Sequence, residues 1–118
     1  MQRRVLIVDD HAEFRLAARA LLASEGFDVV GEAEDAAAAI TAARLLAPDV
    51  VLLDVRLPDG DGFGVAAVLG RLPDPPAIVL VSTRPASAYR RRLESSPARG
   101  FLAKADVTGD ALRAILAS

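Results

Sequence analysis

Lys104 is the only lysine in the chain, and it closes a short apolar run, Phe101-Leu102-Ala103. Three further apolar runs end in oxygen-bearing side chains: Val5-Leu6-Ile7-Val8 leads into Asp9-Asp10, Val50-Val51-Leu52-Leu53 into Asp54, and Ile78-Val79-Leu80-Val81 into Ser82-Thr83. If the runs are parallel strands, all four polar ends fall on one edge of a single sheet. Three carboxylates, hydroxyls and one ammonium then share a shallow pocket, which is equipment for moving a phosphoryl group onto a carboxylate. Each hit alone is ordinary. Aspartates at strand ends are common turn residues, Ser and Thr there are common caps, and a strand-end lysine is commonly a snorkelling surface charge. The weight lies in the ordered set.

The elements that must position these residues follow from pattern. Strand-like runs alternate with helix-like segments five times, which argues for an α/β domain with a parallel sheet. The runs are almost wholly apolar, as in strands covered by helices on both faces. A first helix is expected over about Ala12 to Glu25, stopped by Gly26. Phe27 to Val30 reads as a weaker edge strand, and Asp35 as the cap of a second helix that Pro48 ends. Strand three is Val50 to Leu53, and Leu57-Pro58-Asp59-Gly60-Asp61-Gly62 is a dense turn signal leading into a helix from about Phe63 to Leu72. Strand four is Ala77 to Val81, a short arginine-rich helix fits between Ala86 and Ser96, and strand five is Gly100 to Ala103. Leu112, Ile115 and Leu116 form the buried stripe of a last helix.

Right-handed crossovers make such a chain wind outward from a central strand. In the order 2-1-3-4-5 the switch point lies at the carboxyl ends of strands one and three. Asp54 is then central, flanked by Asp9-Asp10 and Ser82, with Lys104 one strand further out. Three close carboxylates repel one another, and a divalent cation removes the conflict. Magnesium suits carboxylate oxygens, waters and a substrate phosphate best.

Composition sets the limits. The 118 residues suffice for one core, and 53% of them are apolar. With no cysteine, disulfides and thiolate metal sites are out. A net charge of −2 provides no basic field for nucleic acid or membrane, and no stretch could span a bilayer. The apolar run behind Gln2-Arg3-Arg4 meets two aspartates too soon for a signal peptide, so a cytoplasmic location is expected.

The ordered motifs Val5-Leu6-Ile7-Val8-Asp9-Asp10, Asp54-Val55-Arg56-Leu57-Pro58-Asp59-Gly60-Asp61-Gly62, Ser82 and Phe101-Leu102-Ala103-Lys104 resemble the receiver domain of two-component response regulators over essentially the whole chain, 1–118. Asp9-Asp10-His11 and Gly100-Phe101-Leu102-Ala103-Lys104 followed by Ala-Asp are most similar to receivers of LuxR-type transcription regulators. The resemblance implies a flavodoxin-like (βα)5 fold with Asp54 as phosphoacceptor. It implies magnesium held by Asp9, Asp10, Asp54 and the backbone carbonyl of Arg56. Ser82 and Lys104 would bind phosphoryl oxygens, and Phe101 matches the aromatic that rotates when the serine moves. The implied partner is a sensor histidine kinase. A further partner is either a second copy on the face of helix four, strand five and helix five, or a C-terminal effector domain outside this chain. No enzymatic role is implied beyond self-phosphorylation from phosphodonors and slow autodephosphorylation.

Departures from the family pattern are informative. Ala105 replaces the proline that usually follows the lysine, so the peptide is expected trans, with Lys104 shifted or its loop loosened. Thr83 is larger than the usual neighbour of the switch hydroxyl. Arg56 and Arg84 match the two variable positions that flank the phosphoryl in receivers and, with Thr83, would tune its lifetime; the alternative for both arginines is a solvated cation. His11 reads as a turn residue at a helix start, and Arg90-Arg91-Arg92 as a solvated helix face or a partner surface. The rivals are a degenerate receiver that only binds proteins, against which the complete motif set speaks, and a haloacid-dehalogenase-like phosphatase. The latter expects an aspartate two residues after its nucleophile, where Asp54 has Arg56 and Asp9 has His11.

Overall fold

The apolar runs become strands because each is covered on both sides. The computed structural model describes residues 2–118. Its long strands are β1 (Arg4–Val8), β2 (Asp28–Ala33), β3 (Val50–Asp54), β4 (Ala77–Ser82) and β5 (Gly100–Ala103). They form one parallel sheet in the order β2-β1-β3-β4-β5, as expected. Side chains alternate between two cores. Leu6, Val8, Val51, Leu53, Ile78 and Leu80 face one, with α2 (Ala36–Leu46) and α3 (Gly62–Leu69). Val5, Ile7, Val50, Leu52, Val79 and Val81 face the other, with α1 (Ala12–Ser24) and α5 (Gly109–Ala117). That two-sided burial explains why the strands read as continuous rather than alternating apolar runs.

Helix ends follow local chemistry. Asp35 caps α2 as expected, its carboxylate accepting from Ala38 N at 2.8 Å. Ala47 closes that helix in the left-handed region, φ 47°, just before Pro48. Asp61 caps α3 through Gly64 N at 2.9 Å, and the preceding turn folds into a two-residue antiparallel ladder pairing Arg56 with Asp61 and Leu57 with Gly60. No cis peptide occurs among the described residues, so Lys104–Ala105 is trans, as expected.

Three expected boundaries are corrected. β2 extends to Ala33 rather than Val30, because Gly31, Glu32 and Ala33 pair with Leu6, Ile7 and Val8 after a register irregularity. α3 stops at Leu69 rather than Leu72. Beyond Gly70 the bonds Arg71 N to Val68 O and Leu72 N to Leu69 O span three residues, and Gly70 packs closely under Pro97. The segment expected as one helix over Ala86 to Ser96 splits into a 3₁₀ turn, Ala86–Tyr89, and a short α4 (Arg90–Ser95). Neither piece contains a buried residue, so no apolar stripe imposes one continuous helical register.

Candidate functional site

The carboxyl ends of β1, β3, β4 and β5 deliver one cluster. Asp9, Asp54 and Ser82 are fully or almost fully buried, whereas Asp10 is exposed. Lys104 enters from the end of β5 and reaches across β4. Its Nζ donates to Asp54 Oδ2 at 3.1 Å and lies 2.6 Å from Asp9 Oδ2. The Asp9 contact is an ion pair outside hydrogen-bond geometry, so this buried oxygen accepts no hydrogen bond. The ammonium also sits 4.9 Å from the centre of the Phe14 ring on α1, a cation–π contact. Replacing proline by Ala105 has therefore not withdrawn Lys104 from the carboxylates.

Electrostatics bear the imprint of crowding. Burial, and then the charge of Asp9, push the Asp54 carboxyl above its ordinary value, while Lys104 and the Arg56 N–H pull the other way. Burial alone would lower Lys104, but Asp9 and Asp54 outweigh it and hold the ammonium above its ordinary value. The backbone N–H of Arg56 donates to Asp54 Oδ1 at 3.2 Å, fixing one carboxylate oxygen while the Arg56 side chain remains exposed.

The donor set fits a hard cation. Asp9, Asp10, His11 and Asp54 each offer a ligand atom, all within 4.8 Å of one another. Three of the four donors are carboxylates, a set of hard oxygen ligands that favours magnesium over softer metals. The Arg56 carbonyl stays an expectation from the family pattern.

Several contacts escaped the sequence reading. His11 does begin a helix, at the cap of α1, but its Nδ1 also lies 3.0 Å from Asp9 Oδ1 and 3.1 Å from Asp10 Oδ1. Arg15 donates to the carbonyl of Asp9 at 2.6 Å and braces the turn after β1. Asp59 caps α2 from a distance, accepting from Ala36 N at 2.7 Å and Ala37 N at 3.1 Å. Most consequentially, Ser82 Oγ sits 3.0 Å from the hydroxyl of Tyr89 and accepts from Arg84 N at 3.0 Å. The Tyr89 ring lies between Phe63 and Phe101, with centroid distances of 5.8 and 6.0 Å. Phe101 is thus joined to Ser82 through Tyr89. The only hint in the sequence was that Tyr89 is the sole tyrosine, seven residues past the serine. The side chains of Thr83 and Arg84 are exposed beside the pocket. Within the arginine run, Arg92 pairs with Asp61 at 2.6 Å and stacks 4.3 Å over Phe63, so it is not merely solvated.

Residues 5–117 match the family model of the response regulator receiver domain. The chain belongs to that family. Relatives of this receiver include the transcriptional regulatory protein NarL of Mycobacterium tuberculosis, 39% identical over 114 residues, which cover 96% of this chain and 53% of NarL. The virulence-factor transcription regulator BvgA of Bordetella pertussis is 38% identical over 104 residues, covering 88% of this chain and 50% of BvgA. The receiver thus spans about half the length of these curated relatives. Among solved structures, the signal receiver domain of NarL from M. tuberculosis superposes with a TM-score of 0.84 at 39% identity, covering 98% of this chain and 94% of that one. A LuxR-family two-component response regulator from Aurantimonas sp. SI85-9A1 gives 0.87 at 28% identity, covering 99% and 84%. No helix among the described residues of the receiver is long and apolar enough to cross a membrane.

Proposed function

We propose that this receiver, residues 1–118, is the phosphoacceptor switch of a two-component system, taking a phosphoryl group from a histidine kinase onto Asp54. The observation that carries the reading is Lys104 Nζ reaching from beyond the end of β5 to the buried carboxylates of Asp9 and Asp54, at the carboxyl ends of β1 and β3. An Asp54 carboxylate oxygen attacks phosphorus, the phosphorus–nitrogen bond of the kinase's phosphohistidine breaks, and its electron pair leaves with the imidazole. The product is a mixed anhydride, energy-rich and open to hydrolysis, as a timed switch needs. Asp9, Asp10, Asp54 and the Arg56 carbonyl would hold magnesium, which neutralises phosphoryl charge when bound. Lys104 pairs with one phosphoryl oxygen and Ser82 donates to another; charge neutralisation is most of what phosphoryl transfer asks of a protein.

The movement of Ser82 toward the phosphoryl lets Phe101 follow and reshapes the face of α4, β5 and α5. That face is read by a second copy or by an effector domain, and the output is control of transcription in the cytoplasm. The relatives' names support this output. Neither nucleic acid nor membrane is contacted by the domain itself, in keeping with its net charge of −2.

Incubation with magnesium and acetyl phosphate, followed by intact mass measurement, tests the reading. A single acid-labile phosphoryl adduct is expected on the wild type and none on Asp54→Asn. An unmodified wild type, or equal labelling of the variant, would overturn it.

A further inference from the structure

Ser82 is 1% exposed, so its hydroxyl proton needs a protein acceptor. Its oxygen already accepts from Arg84 N, and its other recorded partner is the hydroxyl of Tyr89. A hydroxyl has one proton to give. If Tyr89 donated to Ser82, the serine proton would be left buried without an acceptor, the costlier arrangement. The arrangement that leaves no buried proton stranded on Ser82 has the serine donating to Tyr89, a residue only partly buried. None of the recorded hydrogen bonds of Ser82 goes to Asp54.

From this geometry we infer that Tyr89 is a positioning residue that holds the Ser82 proton away from the phosphoacceptor. The inference rests on the reading of Asp54 and Ser82 given above. To serve a phosphoryl oxygen, Ser82 must break its bond to Tyr89. Resting bias is thereby set by one hydrogen bond rather than by ring packing alone. The same side chain lies against Phe101 and Phe63, and Arg92 stacks on Phe63 while pairing with Asp61 in the turn that follows Asp54. Release of Tyr89 is felt on α4, on β5 and in that turn together.

The test uses beryllofluoride with magnesium as a phosphoryl mimic, its affinity measured by calorimetry on wild type, Tyr89→Phe, Ser82→Ala and the double variant. Tyr89→Phe keeps the ring in its stack and removes only the acceptor. It should bind the mimic roughly three- to tenfold more tightly than wild type, the factor carried by one ordinary net hydrogen bond. In the Ser82→Ala background the same substitution should change affinity by less than about twofold. Tyr89 is the only tyrosine and there is no tryptophan, so intrinsic fluorescence reports its hydroxyl directly. The signal should shift on adding the mimic to wild type and stay constant in Ser82→Ala. Unchanged or weaker binding by Tyr89→Phe, or an equal gain without the serine, would sink the inference while leaving phosphorylation of Asp54 intact. A wild type that takes neither beryllofluoride nor phosphate would instead remove the receiver chemistry on which it rests.

Discussion

Asp9 and Asp10 are neighbours in sequence with different surroundings. Asp9 is buried, tied to Lys104 and to the His11 N–H at 2.8 Å, while Asp10 is exposed beside the cluster. A ligand whose two oxygens face Lys104 and the His11 N–H has less to offer a metal than Asp10, which meets only the exposed His11 ring through one oxygen. Asp10→Ala should therefore weaken magnesium binding on the order of tenfold, and more than Asp9→Ala does, in titrations followed by calorimetry. Equal or reversed losses would contradict this division of labour. Arg84 poses a different question at the same scale. Its backbone holds Ser82, but its guanidinium is exposed and makes no recorded ion pair among the described residues. It cannot act as a base, and it can clamp phosphoryl oxygens and obstruct the attacking water. Arg84→Gln should speed phosphate loss from purified phosphoprotein in magnesium after donor removal; slower or unchanged loss would make it a solvated cation.

Elements set the position of Asp54 through backbone contact as well as through strand pairing. Gly62, at the start of α3, donates to Val55 O at 2.7 Å, and a Cβ there would overlap the carbonyl oxygen of Asp54. Gly62→Ala must displace either the helix or the end of β3, a strain of about 1–3 kcal/mol. Gly64, two residues on, has room: its nearest neighbour would lie 3.7 Å from an added Cβ. Gly64→Ala should be neutral or mildly stabilising in urea denaturation. Equal stability of the two variants would show that the close approach exerts no constraint. This contact shows the limit of sequence reading. Asp9, Asp54, Ser82 and Lys104 were legible because each ends or directly follows an apolar run, and the expected order 2-1-3-4-5, one of those that right-handed crossovers allow, brings the four ends to one edge. Tyr89, Asp59 and Arg15 were not, because their partners lie in other segments and no periodicity marks such a pairing. The division of the Ala86–Ser96 segment was hidden for a related reason. It buries nothing fully, so apolar spacing could not report its true boundaries.

For the whole molecule, the site is a source of instability at the switch point of the sheet. The direction of the Asp54 shift decides the sign. Burial and the neighbouring Asp9 hold its carboxyl above the ordinary value despite Lys104, so the charged form is less favourable folded than unfolded. At neutral pH an ionised Asp54 therefore lowers stability. Asp54→Asn removes that charge with almost no change of volume, and Lys104 keeps Asp9 as a partner at 2.6 Å. In a chelator the variant should melt above wild type by roughly a few degrees. Magnesium held by the folded cluster would reverse the advantage, stabilising by mass action and more strongly where all three carboxylates are present. The gap between the two proteins should thus narrow or invert as magnesium is added, read as thermal midpoints by calorimetry across a metal titration. A variant that melts at or below wild type in the chelator would mean that the Lys104–Asp54 bond outweighs burial and repulsion, and that the fold carries no penalty for a carboxylate at this position.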